Sequence, residues 1–225
     1  MSLVVVGLNY NTASLSLREK AHVAPEEIPG ILHEICKEKA ITEAAVLSTC
    51  NRTEVYISAA TDRYGVDAAV SFFVGRCGAE YEQDSFYVHR NEAAVQWLLT
   101  VASSLDSQVL GETQILSQVK QAYQAAVDAG TCKEMLTKLF KSALHTGKRV
   151  RSETQISCQS VSVSTVAADV AAKHVGQKDA NVLIVGSGEM ARLAALALCD
   201  KGQYHLTVCG RTIAHARVLA DECGG

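Results

Sequence analysis

The sequence has little of several things that would mark other classes of protein. Two prolines in 225 residues impose few breaks on helices and strands. No apolar run approaches the roughly 20 residues that a membrane-spanning helix needs, so we expect no contact with a membrane. The formal net charge of −3 excludes a surface that is basic overall, although a local basic face remains compatible with it. The opening MSLVVVGLNY has no positive flank and no cleavage site, which predicts a cytoplasmic protein.

Paired cysteines are also lacking. The eight cysteines are irregularly spaced, and none forms a Cys-x-x-Cys pair. This pattern argues against a zinc site and against a disulfide framework. We therefore expect no metal, and we expect most of the thiols to be packed in a reducing compartment.

Hydrophobic periodicity predicts the organisation of the N-terminal part. Strand-like runs alternate with helical patterns at 3–9 (strand), 24–40 (helix), 44–50 and 53–59 (strands), 64–78 (helix) and 85–90 (strand). The order β-α-β-β-α-β is the ferredoxin-like arrangement, in which four strands form one sheet with both helices on one face.

The rest of the chain is first helical and then returns to alternating strand and helix. Helical patterns cover 92–105, 111–130, 133–153 and 160–176, and a buried strand, a glycine turn and a helix begin near residue 180. The sequence thus predicts an α/β protein in three parts. These are a ferredoxin-like catalytic or substrate domain with a helical extension (1–155), a connecting helix (156–178) and a truncated Rossmann-type domain (179–225).

The glycine turn GSGEMA, at 186–191, has the form Gly-x-Gly-x-x-Ala between a strand and a helix. Gly186 allows the sharp turn, Gly188 lets the backbone approach a pyrophosphate, and Ala191 permits close packing of helix on sheet. The start of the helix offers free N–H groups to phosphates. The pattern predicts a dinucleotide site that also includes Ser187, Glu189 and Met190; the alternative is a turn used only for packing.

The end of the second strand indicates which dinucleotide would bind. NAD sites carry an acid about twenty residues after the turn, whereas this chain has Arg211 and Thr212 in that region. An arginine there suits a 2′-phosphate, which favours NADPH, although a surface arginine is the alternative. Only two strands of the roughly five or six that such a domain needs are present, so we expect the domain to be incomplete.

Cys50 stands in AAVLSTCNRTEVYISA, between two strand-like runs and close to Arg52. A nearby cation favours the reactive thiolate, and the arginine could instead hold a substrate carboxylate in a bidentate manner. A packed, unreactive thiol is the simpler alternative. A cysteine nucleophile together with a nicotinamide cofactor would favour thioester chemistry, as in acyl reductases or aldehyde dehydrogenases.

Several motifs together resemble one family. LSTCNRTEVY, SLDSQVLGETQILSQVKQAY, GKRVRSET and VLIVGSGEMA, with the opening VVGLNYNTASLSLREKA, are similar to glutamyl-tRNA reductase, which begins five-carbon tetrapyrrole synthesis. The resemblance runs through essentially the whole chain. It implies an enzyme in which Cys50 attacks glutamyl-tRNA and NADPH reduces the thioester to glutamate-1-semialdehyde. It also implies a homodimer formed through a C-terminal region absent from this chain, and contact with the next enzyme of the pathway.

The resemblance implies a pocket for the glutamyl group as well. By position, its polar residues are Thr49, Asn51, Arg52, Ser107, Glu112, Thr113, Gln114 and Gln118. Without the resemblance, Gln114 and Gln118 would be an ordinary solvated helix face.

The chain departs from the family pattern at three places. Trp97 stands where the family usually has a histidine, Ser104 replaces a usual glycine, and the family continues beyond residue 225. Trp97 cannot accept a proton or form hydrogen bonds as imidazole does, so we expect it to modulate activity. His89 is the histidine nearest to Trp97 in the sequence, but we expect it to be a surface histidine. Two alternatives stay open: a reductase of a free acyl or aldehyde substrate without tRNA, and a non-catalytic regulatory relative.

One segment is basic in a chain that is acidic overall. Between 133 and 151, the sequence has one acid, Glu134, and the cations Lys133, Lys138, Lys141, Lys148, Arg149 and Arg151. Such a helix could contact tRNA phosphates, or it could be a solvated face with cations near its C-terminus.

Overall fold

A computed structural model describes residues 1–78, 81–157, 163–175 and 178–224 of the chain. These residues form two compact units, Met1–Ile156 and Ser157–Gly225. Each unit is built around a sheet of its own.

The sheet of the N-terminal unit has four strands: β1 (Ser2–Asn9), β2 (Ile41–Ser48), β3 (Arg52–Ala59) and β4 (Tyr87–Arg90). They lie in the order β2-β3-β1-β4, and every neighbouring pair is antiparallel. The predicted ferredoxin-like topology is therefore confirmed. Because the β2–β3 turn and the C-terminal end of β1 lie at the same end of the strands, residues 49–52 stand beside Asn9.

Three helices connect these strands: α1 (Leu15–Ala21), α2 (Ile28–Ile35) and α3 (Asp62–Cys77). A Cβ added to Gly65 of α3 would lie 3.1 Å from the Val4 side chain, so α3 packs closely on β1. The helix expected over 24–40 is shorter than predicted, and no pattern had indicated α1. Helix α1 begins where the Ser14 hydroxyl accepts a hydrogen bond from the Leu17 N–H, at 3.3 Å.

A second layer covers the opposite face of the sheet. It consists of α4 (Glu92–Ala102), α5 (Gln114–Asp128) and α6 (Glu134–Glu153). The Tyr56 ring of β3 meets the Phe140 ring of α6 at 5.5 Å. Since both faces are covered, every residue of β3 is buried, including three that carry polar or charged groups at its start, Arg52, Thr53 and Glu54.

The C-terminal unit contains α7 (Val163–Val175), β5 (Lys178–Val185), α8 (Glu189–Cys199), β6 (Gln203–Cys209) and α9 (Ile213–Glu222). Strands β5 and β6 are parallel, as at the start of a Rossmann-like domain. A small core holds Ile184, Ala195, Leu206 and Leu219. The helix expected over 160–176 is confirmed for Val163–Val175; its remaining positions lie outside the described residues. In the part of the chain described, no helix is long and apolar enough to cross a membrane.

Candidate functional site

Cys50 lies at the tip of the turn between β2 and β3, and it is exposed. The hydroxyl of Thr49 accepts hydrogen bonds from the N–H groups of Asn51 (3.1 Å) and Arg52 (3.2 Å). The Thr49 N–H donates to the Arg52 carbonyl at 2.8 Å. These bonds close the turn over four residues and point the cysteine outward from the sheet edge.

Two residues from other parts of the chain also hold the turn in place. The Tyr10 N–H donates to the Asn51 carbonyl at 3.0 Å. Arg18 of α1 donates from Nη1 to the Cys50 carbonyl at 3.0 Å, and the same nitrogen is 3.5 Å from Oδ1 of Asn51. Sequence patterns did not single out Arg18, because its contact with the cysteine loop spans 32 positions of the chain.

The Arg52 side chain turns away from solvent and is only 2% exposed. Its Nη1 donates to Oε1 of Glu54 at 2.9 Å, and its Nη2 donates to Oδ2 of Asp106 at 2.9 Å and to the Asp106 carbonyl. Burial has the largest single effect and lowers the pKa of Arg52, but Glu54, Tyr87 and Asp106 together outweigh it and hold that pKa above its ordinary value. In this arrangement the guanidinium holds two carboxylates of the chain itself, and no described contact joins it to Cys50.

Glu54 is fully buried and accepts four hydrogen bonds. Besides Arg52, its donors are the Tyr87 hydroxyl (2.6 Å), the Trp97 indole N–H (2.9 Å) and the Tyr56 hydroxyl. Burial first, and then the Glu54 charge, raise the pKa values of both tyrosines well above the ordinary range, so both stay protonated donors. A Cβ on Gly7 would lie 2.7 Å from Cγ of Glu54, which explains the glycine in the middle of β1.

Trp97 therefore takes part in the polar network around Glu54. It was expected to lack the hydrogen bonding of an imidazole, yet its N–H donates to Glu54, which an imidazole N–H also could do. The His89 ring stacks on the indole with centroids 4.6 Å apart. His89 is half-buried rather than at the surface, and burial lowers its pKa.

Residues 103–113 form the loop that carries Asp106 and Ser107. Ser104 adopts a φ of +60°, a conformation that favours glycine, and its hydroxyl donates to the Glu112 carbonyl at 2.7 Å. Arg151 of α6 donates to the same carbonyl at 2.7 Å. The Ser107 hydroxyl oxygen is buried and has no hydrogen-bond partner among the described residues.

The remaining predicted pocket residues lie around the start of α5. Glu112 is half-buried and Thr113 is exposed, directly before Gln114 opens the helix. One turn later, Gln118 lines a cavity of about 370 Å³ together with Ser48 and His22. The structure thus brings Gln118 to the β2 strand that leads into the Cys50 turn. The described residues show no hydrogen bond from Gln114 or Gln118 to the turn itself.

Of the six cations in the basic segment, three contact partners within the chain. Lys138 pairs with Glu134 (2.6 Å), and Arg149 pairs with Glu153 (2.8 Å) on the exposed face of α6. Arg151 turns inward to the 103–113 loop. These contacts favour the interpretation as a helix face over a surface built for phosphates.

In the C-terminal unit, the glycine turn borders a cavity of about 600 Å³ lined by residues 185–188, 209–212 and His215. Gly186 has a φ of +112° and donates its N–H to the Cys209 carbonyl at 2.7 Å. A Cβ on Gly186 or on Gly188 would meet nothing within 4 Å, so open space faces the first turn of α8. Arg211 and Thr212 are exposed at the rim. This cradle fits a bound pyrophosphate.

The other residues of the glycine motif have individual surroundings. Glu189 is exposed, Ala191 packs against the small core, and the Met190 carbonyl accepts a hydrogen bond from the Ser164 hydroxyl at 3.0 Å. Across the described residues, no group of three or more His, Cys, Asp or Glu side chains is arranged to hold a metal ion.

Fold and site together define an α/β protein that carries an exposed thiol on a ferredoxin-like domain. The start of a Rossmann-like domain follows it in the chain. The family described as "Glutamyl-tRNAGlu reductase, N-terminal domain" matches residues 6–154, and "Shikimate / quinate 5-dehydrogenase" matches residues 169–225. The chain belongs to the glutamyl-tRNA reductase family, which acts in tetrapyrrole biosynthesis.

Individual relatives agree with this assignment. Glutamyl-tRNA reductases from Magnetococcus marinus and Geobacillus kaustophilus are 42% and 41% identical to the chain over its full length. The solved structure of glutamyl-tRNA reductase from Methanopyrus kandleri is 36% identical, with a TM-score of 0.68 over 99% of the chain. The chain spans 54%, 50% and 53% of these proteins, which is about half their length.

Proposed function

We propose that the chain performs the acyl-transfer half of glutamyl-tRNA reduction, with Cys50 as the nucleophile. The observation that supports this most is the turn itself. Its backbone is fixed by Thr49 within and by Tyr10 and Arg18 from outside, while the cysteine stays exposed. A rigid backbone under an accessible thiol is the arrangement that a covalent nucleophile needs.

The proposed step transfers the glutamyl group from oxygen to sulfur. The Cys50 thiolate attacks the ester carbonyl carbon, a carbon–sulfur bond forms, and the bond to the ribose oxygen breaks. The ribose oxygen leaves with a proton as a hydroxyl group, and tRNA is released. The chain's contribution is to present the sulfur and to hold the glutamyl group still during the attack.

The glutamyl pocket is proposed to lie beside the turn, on the 103–113 loop and the first turns of α5. Ser107 carries the strongest support, because a buried hydroxyl without a partner is costly unless a ligand satisfies it. Thr49, Asn51, Glu112, Thr113, Gln114 and Gln118 are proposed as its other polar residues. Arg52, held between Glu54 and Asp106, is proposed to position the turn and the loop relative to each other.

NADPH is the proposed cofactor, held by 186–191 with Arg211 and Thr212 at the 2′-phosphate. When bound, it supplies the hydride that converts the thioester to glutamate-1-semialdehyde. The open space at both glycines and an exposed arginine without an ion pair among the described residues support this assignment. A cytoplasmic location remains a prediction from the sequence, and a homodimer that passes its product to the next pathway enzyme remains a prediction from the resemblance.

Acyl transfer can be tested without the cofactor. The chain is incubated with tRNA carrying labelled glutamate, quenched in acid and digested, and the label is located by mass spectrometry. We expect a labelled thioester at Cys50 that Cys50→Ser abolishes and Cys199→Ser, at another exposed cysteine, leaves in place. A folded wild-type chain that takes up no label would rule out acylation.

A reductase that needs no tRNA is the second candidate, and the paired cations of α6 favour it. The same assay with a glutamyl ester of a simple alcohol distinguishes the two. Equal labelling from the small ester and from glutamyl-tRNA would support the second candidate. A strong preference for the tRNA ester would support the first.

A further inference from the structure

We infer that Asp106 recognises the α-ammonium group of the aminoacyl substrate, with the Ser107 hydroxyl as its neighbour. The inference rests on the proposed function, since it assumes that Cys50 accepts a glutamyl group. It adds a residue that determines specificity for an amino acid over other acyl groups.

The first observation is a charge imbalance under the Cys50 turn. Arg52 forms ion pairs with both Glu54 and Asp106, each at 2.9 Å, so one guanidinium stands against two carboxylates. Glu54 is fully enclosed, and its charge is satisfied by four donors. The surplus negative charge is therefore at Asp106, whose side chain is 21% exposed.

The second observation is a free acceptor. Oδ2 of Asp106 accepts hydrogen bonds from Arg52 (2.9 Å) and from Nδ2 of Asn9 (3.0 Å). Oδ1 accepts none from any residue that the structure describes. The next residue in the loop, Ser107, has a buried hydroxyl without a partner among the described residues. One charged and one neutral acceptor on consecutive residues suit an ammonium group, which is a donor only.

The third observation is position. Asp106 accepts a hydrogen bond from Asn9. The next residue, Tyr10, donates its N–H to the Asn51 carbonyl in the Cys50 turn. Asn9 is also paired with Arg52 across the sheet. In an aminoacyl ester, the carbon that carries the ammonium group is bonded to the carbonyl carbon that Cys50 attacks. A group that binds the ammonium must lie at this edge of the sheet, as Asp106 does.

The test compares two acylated tRNAs in the Cys50 labelling assay. One carries glutamate; the other carries glutaric acid, which keeps the side-chain carboxylate and lacks the amino group. For the wild-type chain, we expect thioester formation to be about tenfold faster or more from the glutamyl ester, since one charged hydrogen bond accounts for such a factor. Asp106→Asn should remove that preference by slowing only the glutamyl reaction.

Controls separate recognition from structure. Asp128→Asn removes an exposed carboxylate that bonds only to Gln124 among the described residues, and it should leave both rates unchanged. The alkylation rate of Cys50 by iodoacetamide reports whether the turn is intact in Asp106→Asn. Should that variant not fold, Ser107→Ala takes its place, with a smaller loss that is again confined to the glutamyl ester.

The possible outcomes differ clearly. Equal slowing of both esters would mean that Asp106 only positions Arg52, and would overturn the inference. Faster reaction in Asp106→Asn would mean that the carboxylate blocks the site, and would overturn it too. If neither ester labels wild-type Cys50, the proposed function fails and the inference fails with it. Loss of the preference on a labelled Cys50 supports both.

Discussion

The two units of the chain differ in how completely helices cover their sheets. In the N-terminal unit, helices cover both faces, and strand β3 is buried at every residue. In the C-terminal unit, Leu183 and Val185 of β5 are 62% and 79% exposed, so one face of the two-stranded sheet is largely uncovered. The enclosed sheet can hold a charge network away from water, where its geometry is fixed, whereas in the open unit the glycine turn borders a cavity of about 600 Å³.

The largest expected effect contrasts a buried with an exposed ion pair. Glu54→Gln breaks the buried pair with Arg52 and should cost about 3–5 kcal/mol in the free energy of unfolding. Glu222→Gln breaks the pair with Arg192, which is 36–45% exposed, and should cost less than about 1 kcal/mol. Urea unfolding followed by circular dichroism measures both, and the fluorescence of Trp97, the single tryptophan, follows the N-terminal unit separately. Similar losses for the two variants would contradict the contrast.

The next effect contrasts crowded with open glycines. In Gly147→Ala, the new Cβ would lie 2.5 Å from the Ala102 carbonyl oxygen and 2.8 Å from the Leu116 side chain, so we expect a loss of about 2–3 kcal/mol. Gly188→Ala meets nothing within 4 Å, and its φ of −81° is open to any residue. We expect it to change stability by less than about 1 kcal/mol. Thermal unfolding of the two variants compares them directly.

Gly188→Ala also separates stability from cofactor binding. The added methyl group should weaken NADPH binding while the melting temperature stays close to that of the wild type. Unchanged NADPH affinity in a folded variant would argue against the proposed approach of the pyrophosphate to this glycine.

The fold could be predicted largely from the sequence, because it depends on local patterns. The βαββαβ order, the α6 helix and the strand–glycine–helix start of the C-terminal unit follow from periodicity and turn residues. Helix α1 was missed because its seven residues are too few for a clear period. The resemblance predicted which residues form the site, but it could not show what each polar side chain would touch.

Arg52 and Trp97 show why the contacts of the site could not be predicted. Arg52 was expected to hold a substrate or the thiolate, yet it pairs with Glu54, two residues on in the same strand, and with Asp106, 54 positions away in a loop. Trp97 was judged by what an indole lacks, whereas its N–H finds Glu54 at a separation of 43 positions. The pairs of Asp106 with Arg52 and of Trp97 with Glu54 depend on how distant segments pack on the sheet, which no local pattern encodes.

Replacing Trp97 tests the network at the scale of one hydrogen bond. Trp97→Phe removes the donor to Glu54 and should cost about 1.5–3 kcal/mol in unfolding free energy. Trp97→His can restore a donor and should recover part of that loss. Urea unfolding followed by circular dichroism measures both variants. If phenylalanine were as stable as tryptophan, the indole hydrogen bond would not contribute to the network.

The smallest expected effect tests the open face of the C-terminal sheet. Val55→Thr places a hydroxyl in the enclosed core, where valine is 0% exposed, and should cost about 1–3 kcal/mol. Val185→Thr makes the same change at a side chain that is 79% exposed and should stay within about 0.5 kcal/mol of wild type. Denaturation at several protein concentrations measures both. A loss above about 1 kcal/mol for Val185→Thr that grows with concentration would show that another copy of the chain packs on this face, because an apolar side chain stabilises only where it is removed from water.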